Sequence, residues 1–329
     1  MSVLAVRDLH VTYRSQAGPV PAVRGVDLDI EESETVGLAG ESGCGKSTIA
    51  HALLRLLPKG TEVRGEVLLD GSDVLSMSFG KLRAARWDQA AIVFQGAMHA
   101  LNPVRRVGEQ IGEAIRIHDP GLSERAAAGR VAELVERVGL PKRRARDYPH
   151  ELSGGQRQRI MIAMALACRP RLLIADEPTT ALDVMVQAQV LNLLKALQSE
   201  FRLALLFITH DLSVLAELCD RIAVMYAGRI VEVGATDGIF ERPAHPYTAA
   251  LAAAFPTIGD AAFRRSPSGL GGDPPDPRAI PSGCSFHPRC PARFAPCDRV
   301  DPPLYVTEEL GHRGACLLND PEYAEEARA

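Results

Sequence analysis

The stretch Glu34-Thr-Val-Gly-Leu-Ala-Gly-Glu-Ser-Gly-Cys-Gly-Lys-Ser-Thr48 leaves this chain few folds to choose from. It spells Gly40-x4-Gly45-Lys46-Ser47, the phosphate-loop pattern. Residues 35–39 are a short, mostly apolar run suited to a buried strand, and residues 49–57 place apolar side chains at helical spacing. Glycines at the bend of a strand–loop–helix let successive backbone N–H groups point inward at a phosphate. In such a loop Lys46 reaches the β- and γ-phosphates, and the Ser47 hydroxyl ligates Mg²⁺. A chance match in a glycine-rich turn is the competing explanation, and the flanking strand and helix count against it. The stretch implies a nucleoside triphosphate site.

The 329 residues suffice for about two domains, and 46% hydrophobic content supports a sizeable core. With 37 Lys plus Arg against 41 Asp plus Glu, the net charge is −4. That balance gives no global attraction to nucleic acid or anionic lipid. No apolar run approaches the ~18–20 residues that span a bilayer, and the N-terminus has no signal-peptide core. The expectation is a cytoplasmic protein. Cys44, Cys168 and Cys219 are scattered as free thiols would be, whereas the other four cysteines crowd into residues 284–316.

In chain order, residues 2–13 alternate like a strand and end in Tyr13. Residues 22–30 form a second strand pattern after a Gly18-Pro19 turn, and residues 62–71 a third, closing on Asp70-Gly71. Together they predict a small antiparallel sheet. Residues 91–95 read as a buried strand ending in the amide of Gln95. Residues 107–117 and 124–138 then repeat apolar side chains every three or four positions. At Leu152-Ser-Gly-Gly-Gln156 another helix begins, with Ser153 as its cap and Gly154 and Gly155 leaving its N-terminus open to an anion. Taken alone, that would be an ordinary cap and turn.

Arg171-Leu-Leu-Ile-Ala-Asp176-Glu177 changes the weighting. It predicts a central strand with two carboxylates at its carboxyl end, a costly arrangement without cationic partners. A phosphate-bound Mg²⁺ supplies one to Asp176, and Glu177 then faces the γ-phosphate and its attacking water. An amphipathic helix over residues 186–201 and a buried strand over 203–209 follow, with His210 just beyond the strand. A histidine there is more often structural, but a parallel sheet places ligand contacts outside its strand carboxyl ends.

In order and spacing these elements resemble the ATP-binding cassette (ABC) ATPases over residues 3 to about 255. The resemblance reads Gly40–Thr48 as Walker A, Gln95 as Q-loop, Leu152–Gln156 as signature, residues 172–177 as Walker B, Ala181-Leu-Asp183 as D-loop and His210 as switch histidine. Tyr13 falls where that family stacks an aromatic ring on adenine. Leu101-Asn-Pro-Val104, Gly108-Glu-Gln-Ile111 and His245-Pro-Tyr-Thr-Ala-Ala-Leu251 are similar to the ATP-binding subunits of oligopeptide and dipeptide importers. The segment Gly96-Ala-Met-His-Ala100 departs from many relatives, in the region where the family meets its membrane partner.

The resemblance implies an α/β fold of the ABC-type P-loop NTPase kind. Its parts are a RecA-like core, an antiparallel β subdomain, a helical signature subdomain and a small Cys-containing C-terminal extension. The implied boundaries are 1–255 for the nucleotide-binding domain, with the helical part at about 96–165, then a linker at 256–283 and the extension at 284–329. It implies ATP held by Tyr13, Gly40, Glu41, Ser42, Gly43, Cys44, Gly45, Lys46, Ser47 and Thr48. In trans, Ser153, Gly154, Gly155 and Gln156 of a partner cassette close the site. Catalysis falls to Glu177, His210, Gln95 and Lys46, and Mg²⁺ to Ser47, Gln95 and Asp176. The implied partners are a second ABC ATPase subunit (the same chain or a different one), two integral membrane permeases and an extracytoplasmic substrate-binding protein. The expected place is peripheral, on the cytoplasmic face of the inner membrane. Peptides are the expected cargo, with nickel, glutathione or another small solute as alternatives. A DNA-repair ATPase is disfavoured, because no coiled coil or cysteine pair interrupts residues 49–151 and the chain is not basic.

Residues 256–283 are rich in Pro and Gly and read as a linker. Beyond them lies Cys284-x5-Cys290-Pro291-x5-Cys297-x18-Cys316, in a segment with few large apolar side chains. Such a piece can hardly build its own core, so a cross-link is expected to order it. Disulfides do not suit a cytoplasmic protein, and structural zinc prefers closer cysteine pairs. A [4Fe–4S] cluster on Cys284, Cys290, Cys297 and Cys316 is the favoured expectation, with zinc or four free thiols as alternatives. Peptide-importer ATPases resemble this chain in having such an extension, in some cases with a [4Fe–4S] cluster.

Overall fold

A computed structural model describes residues 2–96, 100–180, 182–254 and 270–326. Three sequence features therefore lie in part outside the described residues: positions 97–99 after the Q-loop, Ala181 of the D-loop, and 256–269 of the linker. The chain opens with β1 (Ser2–Ser15), β2 (Gly18–Glu31) and β3 (Thr35–Ala39), then α1 (Lys46–Leu53). Next come β4 (Glu62–Leu69), β5 (Ser72–Asp73), α2 (Phe79–Asp88) and β6 (Ala90–Val93). A helical stretch follows as α3 (Val107–His118), α4 (Glu124–Arg137) and α5 (Gly154–Ala165). After it, β7 (Leu172–Asp176), α6 (Val184–Phe201), β8 (Ala204–Thr209), α7 (Leu212–Leu218), β9 (Arg221–Tyr226) and β10 (Arg229–Ala235) alternate. The chain ends with α8 (Thr236–Glu241), α9 (Pro246–Ala253), β11 (Tyr305–Val306), β12 (Arg313–Gly314) and α10 (Pro321–Glu326).

These elements fall into two compact units that interleave along the sequence. The first is built mainly from Val67–Ile208, and the second from Val6–Leu28, Thr35–Glu66 and the chain from Thr209 onward. A four-stranded sheet of order β2-β1-β4-β5 accounts for the early strands. Its hairpin turns at Gln16-Ala17, not at the expected Gly18-Pro19, which opens β2. Proline is tolerated there as an early strand residue. The Asp70-Gly71 turn between β4 and β5 is as expected, with Leu69 opposite Ser72.

In the first unit β8, β7 and β6 run parallel in that order. β7 is buried at every position, as a strand covered on both faces must be, and its apolar run Leu172-Leu-Ile-Ala reflects that. The pairing sets Asp176 opposite Ile208, at the carboxyl end of the strand. Helix α3 buries Val107, Ile111 and Ile115, while α4 buries Ala127, Val131 and Leu134. Those stripes, i, i+4 and i+8 on α3 and i, i+4 and i+7 on α4, are what make the two helices pack. Ser123 caps α4, and the Asp183 carboxylate caps α6 through the Val186 N–H at 2.9 Å.

In the second unit the strand order is β11-β12-β10-β9-β3. β3 and β9 are parallel, and the remaining pairs are antiparallel. The C-terminal segment thus does not depend on a cross-link alone for order, contrary to the sequence-based expectation. It adds two short strands to an existing sheet edge and packs Phe286 against both Tyr226 and Tyr247, with ring centroids 5.3 and 5.4 Å away. Phe286 and Leu317 are each 1% exposed. A second fastening is Glu232, fully buried on β10. Its carboxylate accepts from the Ala244 and His245 N–H groups at 2.7 and 2.8 Å and pairs with His312 Nε2 at 2.7 Å. A buried carboxylate survives only with such full satisfaction.

Next to this cluster His245 is buried, and its Nδ1 accepts the Tyr247 N–H at 3.0 Å, as a neutral ring must. Burial lowers its pKa from 6.5 to about 3. The unfolded chain therefore binds one more proton than the folded chain between those values. This contribution to stability is complete above pH ~6.5 and is lost as pH falls toward 3, with a slope of at most ~1.4 kcal/mol per unit. In chemical denaturation of the full chain, His245→Gln is expected to flatten the fall in stability between pH 6.5 and 4. An unchanged slope would contradict the buried neutral ring.

Candidate functional site

The phosphate loop joins β3 to α1 in the second unit. Gly40 has φ +149° and Gly45 φ +108°, conformations that L side chains rarely adopt. Space reinforces the requirement: a Cβ on Gly40 would lie 2.2 Å from the Met225 carbonyl oxygen, and one on Gly45 2.3 Å from that of Ala22. The loop is pressed against β9 on one side and β2 on the other, with the Gly228 N–H donating to the Cys44 carbonyl at 3.0 Å. Helix α1 has no acidic residue in its first turn, so its positive dipole end meets no carboxylate from the helix itself.

Lys46 is 5% exposed, and its Nζ donates to the carbonyls of Gly40 at 2.6 Å and Glu41 at 3.0 Å. The ammonium therefore sits within the loop, where a phosphate needs a cation. Burial raises the Cys44 thiol pKa, with Lys46 pulling the other way. Tyr13 on β1 donates its hydroxyl to Thr48 Oγ1 at 3.1 Å, which puts the ring beside the start of α1.

In the first unit the two acids leave β7 in different environments. Asp176 ends the strand and is 1% exposed. Glu177 has φ +45°, an uncommon region for a residue with a side chain, and its N–H donates to the Ile208 carbonyl at 2.9 Å. Its Oε2 accepts from Gln95 Nε2 at 2.8 Å and from the Thr180 hydroxyl at 2.9 Å. Gln95 and Glu177, 82 residues apart in sequence, are thus brought together. Two donors on one carboxylate oxygen fix its direction.

Ser153 caps α5, accepting the Gln156 N–H at 3.3 Å, while the Gln156 side chain accepts the Ser153 N–H at 3.0 Å. This reciprocal box orders the helix start. Gly155 is needed sterically, since a Cβ there would meet Val186 Cγ1 at 2.4 Å. No acidic residue lies in the first turn, which suits an anion-accepting terminus. In the second unit exposed His210 follows β8, and the Asp211 N–H donates to Thr209 Oγ1 at 3.0 Å.

Cys284, Cys290, Cys297 and Cys316 are gathered in the second unit, and none of them forms a disulfide. The Cys284 N–H donates to the Cys297 carbonyl at 2.9 Å. Burial pushes the Cys284 thiol up to about 11 and that of Cys316 to about 12, and the neighbouring thiols add to both shifts. Cys290 is raised mainly by burial, with a contribution from Cys297. The donor set is chemically right for an iron–sulfur cluster or zinc. Among the described residues, however, no three His, Cys, Asp or Glu side chains are drawn close enough to form a metal site. The cysteines are neighbours without being a closed ligand set.

Two loop contacts were not legible in the sequence. The Tyr247 hydroxyl accepts the Glu41 N–H at 2.9 Å, and Arg289 grips the Glu41 carboxylate. The first had a signal, since Tyr247 lies in the His245-Pro-Tyr-Thr motif. The second had none beyond an arginine between two cysteines.

Comparison with known proteins gives concordant matches. Residues 23–180 match the family described as ABC transporter, and residues 231–297 match the oligopeptide/dipeptide transporter C-terminal region. The dipeptide transport ATP-binding protein DppD of Bacillus subtilis is 43% identical over 97% of this chain and 95% of its own length. A putative peptide import ATP-binding protein of Brucella ovis is 44% identical over 98% of each chain. The dimeric structure of MJ0796, a bacterial ABC transporter cassette, is 30% identical, with a TM-score of 0.64 over 71% of this chain and 98% of that one. MJ0796 has also been solved as a dimer in a post-hydrolysis state bound to ADP and Pi, with the same TM-score.

Proposed function

The chain belongs to the ATP-binding cassette transporters, in their oligopeptide and dipeptide branch, and on that premise we propose that it is the ATP-hydrolysing subunit of a peptide importer. Similarity along nearly the whole length to peptide-import ATP-binding proteins supports this most, since it includes the C-terminal region as well as the cassette. No helix among the described residues is long and apolar enough to cross a membrane. The reading therefore assigns transport across the bilayer to two permeases, with this chain docked on their cytoplasmic face. A second cassette and an extracytoplasmic peptide-binding protein complete the assembly.

In this reading ATP lies on residues 40–48 with its adenine against Tyr13. Ser47, Gln95 and Asp176 would hold Mg²⁺, which would supply positive charge to the phosphates. Phosphoryl transfer leaves the protein mainly positioning and charge neutralisation. Lys46 offsets the γ-phosphoryl charge, and Glu177, oriented by Gln95 and Thr180, takes a proton from the attacking water. His210 contacts the γ-phosphate. The N-terminus of α5, with Ser153, Gly154, Gly155 and Gln156, serves the ATP of the opposite cassette.

Two experiments follow. In the assembled transporter, Glu177→Gln is expected to keep ATP binding while turnover falls roughly 10²-fold or more, and Lys46→Ala to weaken binding itself. Peptide-stimulated ATP turnover in vesicles tests the cargo, and hydrolysis by Glu177→Gln at the wild-type rate would remove the assigned base.

The finer reading of the extension is a [4Fe–4S] cluster on Cys284, Cys290, Cys297 and Cys316, supported by four neighbouring thiols, two of them buried and two half-buried. Anaerobically purified full chain is expected to contain about four irons and to absorb near ~400 nm. Stoichiometric zinc without iron would replace the cluster with a zinc staple, and absence of both would leave free thiols.

A further inference from the structure

Glu41, the second residue of the phosphate loop, is held at every polar group it has. Its N–H donates to the Tyr247 hydroxyl at 2.9 Å, and its carbonyl accepts from Lys46 Nζ at 3.0 Å. Its carboxylate accepts two parallel hydrogen bonds from Arg289, NH1 to Oε2 at 2.7 Å and NH2 to Oε1 at 2.9 Å. This is the fork-on-fork pairing that only an arginine makes. The pair is no loose surface contact: the Arg289 side chain is 7% exposed and that of Glu41 24%.

Arg289 is itself fixed from behind. Its Nε donates to the Gly271 carbonyl at 2.9 Å, and its NH1 lies 3.4 Å from the Tyr226 hydroxyl. The guanidinium carbon sits 5.9 Å from the Tyr226 ring centroid and 6.0 Å from that of Phe286. A surface ion pair contributes little, because two mobile chains must be ordered to make it. Here both ends are already ordered by packing, so the pair can transmit position. It joins residues 248 apart, a cysteine-bearing turn of the C-terminal region and the loop that faces phosphate.

We propose that Arg289 is a positioning residue for ATP: through Glu41 it fixes the phosphate loop in its phosphate-accepting shape, and it cancels a carboxylate that would otherwise oppose the triphosphate. The proposal rests on the reading of residues 40–48 as the ATP site and adds a residue beyond the cassette motifs to it. Because Cys290 directly follows Arg289, any change in the shape of the cysteine-bearing turn reaches the loop through one side chain.

The test uses the full chain with ATP and Mg²⁺ as the probe, and turnover in the assembled transporter. Arg289→Ala is expected to weaken ATP binding roughly tenfold, as a higher KM with kcat within about twofold. Arg289→Lys, which keeps the charge and loses the second arm, is expected to weaken it about threefold without lowering the melting temperature. If Arg289 acts through Glu41, Arg289→Ala combined with Glu41→Gln binds ATP no more weakly than the worse single variant, within about twofold. Wild-type affinity in Arg289→Lys overturns the proposal, and that variant decides the matter if Arg289→Ala fails to fold. Additive losses in the double variant overturn it too, as does a lower melting temperature with unchanged ATP affinity. A wild-type chain that binds no ATP would instead overturn the functional reading, and this inference with it.

Discussion

Everything in this structure depends on a short loop of backbone N–H groups kept open for a phosphate. Such a loop is unstable by itself, since its glycines gain freedom in the unfolded chain. Its shape is imposed from outside. The Met225 and Ala22 carbonyls close off the space where side chains at positions 40 and 45 would stand. The Gly228 N–H ties down Cys44, and Tyr247 ties down Glu41. The second unit is thus a frame around the loop, and its C-terminal strands and aromatic cluster belong to that frame.

The first unit solves a different problem, the placement of acid where acid is costly. A buried apolar strand delivers Asp176 and Glu177 to its carboxyl end, and the backbone turns at once into a strained conformation at Glu177. That turn is held by the Ile208 carbonyl, and the carboxylate is aimed by Gln95 and Thr180. The two donors on one oxygen give the buried carboxylate a fixed direction. In the same unit the reciprocal Ser153–Gln156 cap orders a helix N-terminus that has no acidic residue in its first turn.

What could be read from the sequence was what rests on nearby residues. The loop pattern, the Ser153 cap, the Asp70-Gly71 turn and the apolar stripes of α3 and α4 depend on spacings of a few positions, so their physics is printed in the sequence. The hairpin turn was displaced by two residues because proline and glycine mark an irregularity without saying on which side of it the strand begins. That the C-terminal region can hardly build its own core was legible, but composition does not disclose that Phe286 shares one with Tyr226 and Tyr247. Likewise the Glu232–His312 and Glu41–Arg289 pairs join positions 80 and 248 residues apart, and no local pattern announces either.

The central claim is that nucleotide is received by the backbone of residues 40–48 in a frame already built for it. Amide hydrogen exchange of the full chain, followed on peptides that cover residues 34–54 with and without ATP and Mg²⁺, tests it most directly. The account predicts that ATP slows exchange strongly within the loop and the first turn of α1, and little in β3, which is already paired. Unchanged exchange in the loop at saturating ATP would contradict it.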